Sequence, residues 1–217
     1  MAKMVLDLQQ ACSNEEIPCS NLLLKAYAIA KKLGMHEIAE FLDHEINGYR
    51  NVDKKLFPEF RQVIVSTEAY DAYYGRWIPV VFPANSAFCK HSVVESIAEI
   101  EKIDQSKCDS LEVRLNADAQ KIIQKATNMS EPMLVHQIFP ASQITSIPSK
   151  LRKYIFDWAY KLETEGILGE NLEFTSEEQK IAKENPSIQI IINGDVFGSN
   201  VSGILNDSIS KVQSQGK

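Results

Sequence analysis

The chain has 217 residues, 44% of them apolar and 24% charged, ordinary proportions for a globular protein of one large domain or two small ones. Lys and Arg total 23 against 29 Asp and Glu, a formal net charge of −6, which argues against bulk binding of nucleic acid or of an anionic membrane surface. No apolar run reaches the roughly 18 residues of a membrane span, and the start, MAKMVLDLQQ, has no signal-peptide core. The four cysteines, Cys12, Cys19, Cys89 and Cys108, form no C-x-x-C pair. The expectation is a cytoplasmic protein with reduced thiols that needs neither disulfide nor cofactor.

Residues 5–12 fit a short helix or a strand. From Ser20, the apolar residues Leu22, Ala26, Ile29, Ala30 and Leu33 fall on one helical face, with Ser20 or Asn21 as cap and Gly34 as left-handed stop. A second helix is expected from His36 to Ile46, carrying Ile38, Phe41, Leu42 and Ile46, ended by Asn47-Gly48. The short link between the two predicts a helical hairpin.

The middle of the chain is rich in β-branched and aromatic residues. One strand is expected through Phe60, Val63 and Val65 and another over Trp77–Phe82, with Tyr70, Tyr73 and Tyr74 in the turn between them. Pro79 pushes the second strand towards a sheet edge or marks its first residue. A helix from Ser92 to Ile103, a strand through Leu111, Val113 and Leu115, a helix capped by Asn116 and a strand from Val135 to Ile147 follow. The longest helix opens at Pro148 or Ser149 and buries Leu151, Ile155, Trp158, Ala159 and Leu162. Thr175 and Glu178 have capping-box spacing for a last helix. Beyond Pro186, Ile188, Ile190 and Ile192 alternate ahead of the turn signal Asn193-Gly194, and Val196 and Val201 follow.

Three stretches carry a family resemblance. The first is Leu22 to Gly34 with Glu40 to Tyr49; the second is Phe60-Arg61 with Gly75 to Phe82; the third is Leu151 to Gly169, containing Asp157-Trp158-Ala159 and Gly166-Ile-Leu-Gly169. Together they resemble the bacterial AbiTii domain family. The chain departs from the family pattern at Phe41, where a Trp is usual, and at Gly75-Arg76, where the order is Arg-Gly. The resemblance implies a bacterial protein tied to abortive infection and phage defence. It implies no reaction and no catalytic residues.

Several groups invite a chemical reading. His36, Glu40 and His44 share one helix face, either a metal edge or a solvated polar face; the second reading prevails, because a catalytic metal needs a third ligand and an enclosed site. Cys89 and His91 juxtapose a thiol and an imidazole, a spacing that does not by itself predict a working pair. Glu45, next to the apolar stripe of its helix, needs a cation or donors if buried, and Arg61 is a partner on the next strand. A structural ion pair outweighs a catalytic carboxylate there. Tyr70, Tyr73, Tyr74, Arg76 and Trp77 are the residue types that anchor protein interfaces or stack bases; the acidic balance favours a protein partner, and a cluster that packs the sheet is an equal alternative. No phosphate-binding loop and no nucleophile elbow is present.

The predicted fold is α+β: a helical hairpin and further helices packed on a small, mostly antiparallel sheet, with a C-terminal β-rich tail. Residues 1–186 are expected to form the family domain and 187–217 an association tail. The expected function is a non-enzymatic interaction module in phage defence that binds a protein partner through the tyrosine-rich loop. It self-associates through Ile188, Ile190, Ile192, Val196 and Val201, because a lone hairpin is marginal in water and an open strand edge is a template for pairing. The alternative is an effector enzyme, a hydrolase or nuclease, working through Glu45 and Arg61.

Overall fold

The computed structural model describes residues 3–83, 86–103, 109–129 and 133–185. Its helices are α1 (Met4–Ser13), α2 (Cys19–Leu33), α3 (His36–Asn47), α4 (Ile97–Ile100), α5 (Ala117–Ala126), α6 (Ala141–Thr145), α7 (Ile147–Thr164) and α8 (Ser176–Glu184). Its strands are β1 (Gln62–Ile64), β2 (Ser66–Asp71), β3 (Arg76–Val80), β4 (Lys90–Ser92), β5 (Ser110–Arg114) and β6 (Val135–Pro140). The fold is α+β, and its described residues divide into two compact units. One draws on 3–59, 94–103 and 145–185, the other on 60–83, 86–93, 109–129 and 133–144. The isoleucine-bearing segment from Ile188 to Val201 lies outside the described residues.

The first unit is helical. Residues 5–12 form a helix because Val5, Leu8, Ala11 and Cys12 recur at helical spacing, and all four are buried. α1 packs along α7, whose buried stripe is Leu151, Ile155, Trp158, Ala159 and Leu162, and along α2. Arg152 of α7 donates to the carbonyls of Cys12, Asn14 and Ile17, so one guanidinium ties together the end of α1 and the turn that follows it. The α2–α3 hairpin forms as expected, with Gly34 in the left-handed conformation at the turn.

The cap of α2 differs from expectation. The helix begins at Cys19, after Pro18, and the carboxylate of Glu101 accepts from the Cys19 and Ser20 N–H groups. A charge brought by another segment does the work assigned to Ser20 or Asn21. The predicted helix from Ser92 to Ile103 is also shorter. Val93 lies between β4 and the helix, with its N–H donating to the Arg61 carbonyl, and helix starts only where Ser96 and Glu99 close a capping box.

The second unit is built on an antiparallel sheet of order β3-β2-β6-β5, with β1 and β4 pairing separately. Pro79 lies on β3, an edge of the sheet, as expected. Tyr70 is paired within β2, not in the turn, and the strand predicted through Phe60–Val65 yields only β1. β6 stops at Pro140, which has no N–H to give, and the chain turns into α6, where a strand to Ile147 was expected. Period-two alternation sends Ala69 and Val135 to one face, where α5 covers them with Ile123. Gln120 and Gln124 of α5 pin the start of β6 through Val135 N–H and the Met133 carbonyl.

Candidate functional site

The face of the four-stranded sheet opposite α5 carries Tyr70 and Trp77, at the end where the tyrosine-rich loop joins β2 to β3. β2 and β3 are joined by Ala72-Tyr73-Tyr74-Gly75, with Asp71 paired to Arg76 at the mouth of the turn. Asp71 Oδ1 accepts from Tyr73 N–H at 2.9 Å and Tyr74 N–H at 3.1 Å, an Asx turn that fixes the first half of the loop. Gly75 closes it at φ +63°, a left-handed conformation that an Arg would adopt only with strain. That is the physical reason for glycine ahead of Arg76 here.

The loop places its aromatics outside. Tyr73 is 88% exposed and Tyr74 66%. Their rings meet edge to face at 4.9 Å, and the Arg76 guanidinium lies 5.3 Å from the Tyr74 ring centre. Behind them, Tyr70 and Trp77 are cross-strand partners with ring centres 5.3 Å apart, each about a third exposed. Leu134, whose carbonyl accepts from Tyr70 N–H at 2.8 Å, extends the apolar row and is more than half exposed. Tyr70 and Trp77 share one face of the hairpin, Arg76 starts β3 on the opposite phase, and Tyr73 and Tyr74 form the tip between them.

The sequence reading missed what holds Trp77 in place. His136 of β6 stacks on the indole, ring centres 3.7 Å apart and planes 8° from parallel. Nε2 of His136 lies 3.1 Å from Glu68 Oε2, directly across the β2–β6 ladder. Nδ1 lies 3.3 Å from Glu112 Oε1, close enough for an ion pair but without a hydrogen bond. Each nitrogen faces a different carboxylate, so the three side chains do not converge on one point as metal ligands would. The signal available in the sequence was alternation: Glu68 and Tyr70 in β2 and His136 in β6 all fall on the polar phase of their strands.

The residues of the effector-enzyme alternative, Glu45 and Arg61, are both fully buried. The Tyr49 hydroxyl donates to Glu45 Oε1 at 2.7 Å, and the Tyr49 ring packs against Phe57 and His44. Arg61 belongs to the other unit, where its carbonyl accepts from Val93 N–H. Gly48 ends α3 at φ +84°, and a Cβ there would stand 2.7 Å from the Val94 carbonyl oxygen. The Glu45-x-Asn-Gly-Tyr49 motif thus holds a buried hydroxyl–carboxylate pair beside a turn that admits no side chain.

On the exposed side of α3, Glu37, Glu40, Phe41 and His44 line a cleft of about 350 Å³ closed by Leu56; His36 is not part of it. His44 Nε2 stands 3.9 Å from Glu40 Oε1. Among the described residues, no group of three His, Cys, Asp or Glu is placed to hold a metal ion. Cys89 closes a short 3-10 turn, with its thiol 3.5 Å from the Pro83 carbonyl, and does not open a helix. Burial pushes the Cys12 thiol up to about 11 against the lowering pull of Arg152 and Lys25, and burial with Glu101 nearby pushes Cys19 to about 12. Both stay protonated at neutral pH and are poor nucleophiles.

No described helix is long and apolar enough to cross a membrane. Searches of curated proteins and of solved structures return no significant match. The AbiTii family profile matches residues 3–187, most of the chain. The Glu45–Tyr49 and Gly166–Gly169 stretches that carried the resemblance are the ones the fold uses to end α3 and to seat α8, and the chain belongs to the AbiTii family, whose domain is associated with abortive infection.

Proposed function

We propose that the protein serves phage defence as a non-enzymatic interaction module, recruiting a protein partner through the aromatic end of the β2–β3 hairpin. The observation that carries this reading is the exposure of Tyr73 and Tyr74 at the tip, continuous with Tyr70, Trp77 and Leu134. Water-exposed aromatic surface of that extent is unfavourable for an isolated chain and typical of recognition sites. Tyr and Trp supply large contact area at low entropic cost, and Arg is a frequent anchor beside them. The stack on His136 pre-orders the indole, which lowers the cost of binding. Self-association through Ile188, Ile190, Ile192, Val196 and Val201 belongs to the same reading and rests on their alternation in sequence. The effector-enzyme alternative would run through Glu45 and Arg61, and full burial of both favours a structural role for them.

The test is a double substitution at the tip, Tyr73→Ser with Tyr74→Ser, in cells where the wild-type chain restricts phage plating. Loss of restriction at unchanged protein level is the expected result. Undiminished restriction by the double variant overturns the reading.

A further inference from the structure

We propose that His136 is a proton-operated clamp on Trp77: its imidazolium form, held between two carboxylates, fixes the indole in the orientation that a partner meets, and loss of the proton releases it. The proposal takes its purpose from the hairpin reading above. Its content is the state of Trp77 in the free chain, so the two can fail separately.

Three observations carry it. First, the stack is not a contact between neighbouring strands. Trp77 stands on β3 and His136 on β6, with β2 running between them, a separation of roughly 9–10 Å. The indole and the imidazole lean across β2 to meet at 3.7 Å, with planes 8° from parallel. Second, each ring nitrogen faces a carboxylate oxygen: Nε2 lies 3.1 Å from Glu68 Oε2, and Nδ1 lies 3.3 Å from Glu112 Oε1. A neutral imidazole has one N–H and one lone pair. In either tautomer the lone pair would stand against a carboxylate, and only the cation turns an N–H to both sides. Third, the ring is 11% exposed and its Nδ1 is shielded from water, so solvent does little to weaken either pairing.

The charges that face the ring favour the cation. Glu68 comes from β2 and Glu112 from β5, both partly exposed. Arg114 of β5, in register with His136, points its charge into water and lies 3.8 Å from Glu112. β3 contributes the uncharged indole, and the Tyr70 phenol of β2 packs on that indole at 5.3 Å between ring centres. Two close carboxylates outweigh one outlying guanidinium, and the face of the indole attracts a cation in addition. When the proton leaves, attraction at one nitrogen turns to repulsion. The ring then gains by rotating away from that carboxylate, which breaks the parallel stack.

The test is NMR on the full chain from about pH 5.5 to about 9, where imidazole titrates and carboxylates stay ionised. The readout is the set of nuclear Overhauser cross-peaks between the carbon-bound ring protons of Trp77 and His136, followed beside the His136 Cε1 proton, which reports the charge. The expected result is that the cross-peaks are present in the protonated form and are lost over the same pH interval in which the Cε1 proton titrates. His136→Phe keeps a stacking ring without a charge, and its cross-peaks to Trp77 should not change with pH. Glu112→Gln leaves the stack untouched and removes one carboxylate, so the loss should move to lower pH. The clamp is overturned if His136 titrates with its cross-peaks unchanged, or if they fade at the same pH in Glu112→Gln. Lost phage restriction in the tip variant beside pH-independent cross-peaks defeats the clamp alone. Cross-peaks that fade with the proton beside a fully active tip variant uphold the clamp and defeat the hairpin reading alone.

Discussion

Two stretches that carry the family resemblance put their special residues to opposite use. In the Glu45–Tyr49 stretch polar groups are drawn inside: a carboxylate and a phenol, both fully buried, bond to each other next to a glycine with no room for a Cβ. In the Gly75–Phe82 stretch and the loop before it, apolar groups are left outside: two tyrosines with most of their surface in water, then an indole backed by an imidazole. Burying a charge costs free energy that only partners recover, and exposing aromatic rings forgoes free energy that burial would give. The first arrangement is maintained because the fold depends on it. The second adds little to the isolated fold, which is what the proposed role in binding would require.

The comparison breaks first at Glu45. Glu45→Ala removes the carboxylate that accepts from the buried Tyr49 hydroxyl and opens a cavity. The expected loss is about 3 kcal/mol, in the range for a broken buried polar pair. Equilibrium urea unfolding measures it as a lower midpoint at unchanged slope. Tyr49→Phe, which removes the donor and keeps the ring, should cost less, about 1 kcal/mol. A Glu45→Ala chain as stable as the wild type would mean that the carboxylate is not part of the framework, and would return it to the list of candidates for chemistry.

A smaller effect sharpens the helical side of the comparison. The Glu178 carboxylate accepts from Leu168 and Gly169 N–H with one oxygen and from Thr175 N–H and hydroxyl with the other, tying α8 to the Gly166–Gly169 turn. Burial pushes its pKa up, but the backbone bonds from Gly169, Thr175 and Leu168 outweigh that and hold it below the usual 4.5. A depressed folded-state pKa contributes stability that is complete above pH 4.5 and is lost as pH falls through the lowered value. Glu178→Gln keeps one acceptor but turns an amide toward N–H donors. It should cost about 1 kcal/mol at neutral pH, with the gap to wild type closing in acid. Thermal midpoints of both chains from pH 7 down to pH 3 decide it, and a gap independent of pH would sink the account.

What was legible in the sequence follows from where the determining interactions lie. Gly34, the Thr175–Glu178 box and the buried stripe of α7 depend on residues within a few positions of each other, and each stands where periodicity put it. The cap of α2 is supplied by Glu101, some eighty positions away, and local reading assigned it to Ser20 or Asn21. The aromatic cluster was visible as composition, because Tyr70 to Trp77 are near neighbours. His136 was not, because its tie to Trp77 exists only once β6 pairs beside β2 and brings residues sixty positions apart into a stack. The same limit hid the α3 cleft: the spacing of Glu40 and His44 was plain, but Leu56, which closes it, comes from the turn beyond.

The smallest expected effect on stability is also the most informative about use. If the hairpin tip does nothing for the fold, Tyr73→Ser with Tyr74→Ser should leave the unfolding midpoint almost unchanged. The two hydroxyl-bearing replacements give up one edge-to-face ring contact and the Arg76 cation–π contact, each worth about 0.5–1 kcal/mol at an exposed site. Removing surface hydrophobes from water offsets part of that loss, so the net should stay below about 1 kcal/mol, well under the loss expected at Glu45. The Asx turn stays intact, because Asp71 bonds to backbone N–H groups that serine also provides. A large destabilisation would show that the tyrosines pack against the fold more than their exposure indicates, and the contrast with Glu45 would dissolve. An unchanged midpoint in a chain that has lost phage restriction would separate the two stretches cleanly, one kept for stability and the other for contact.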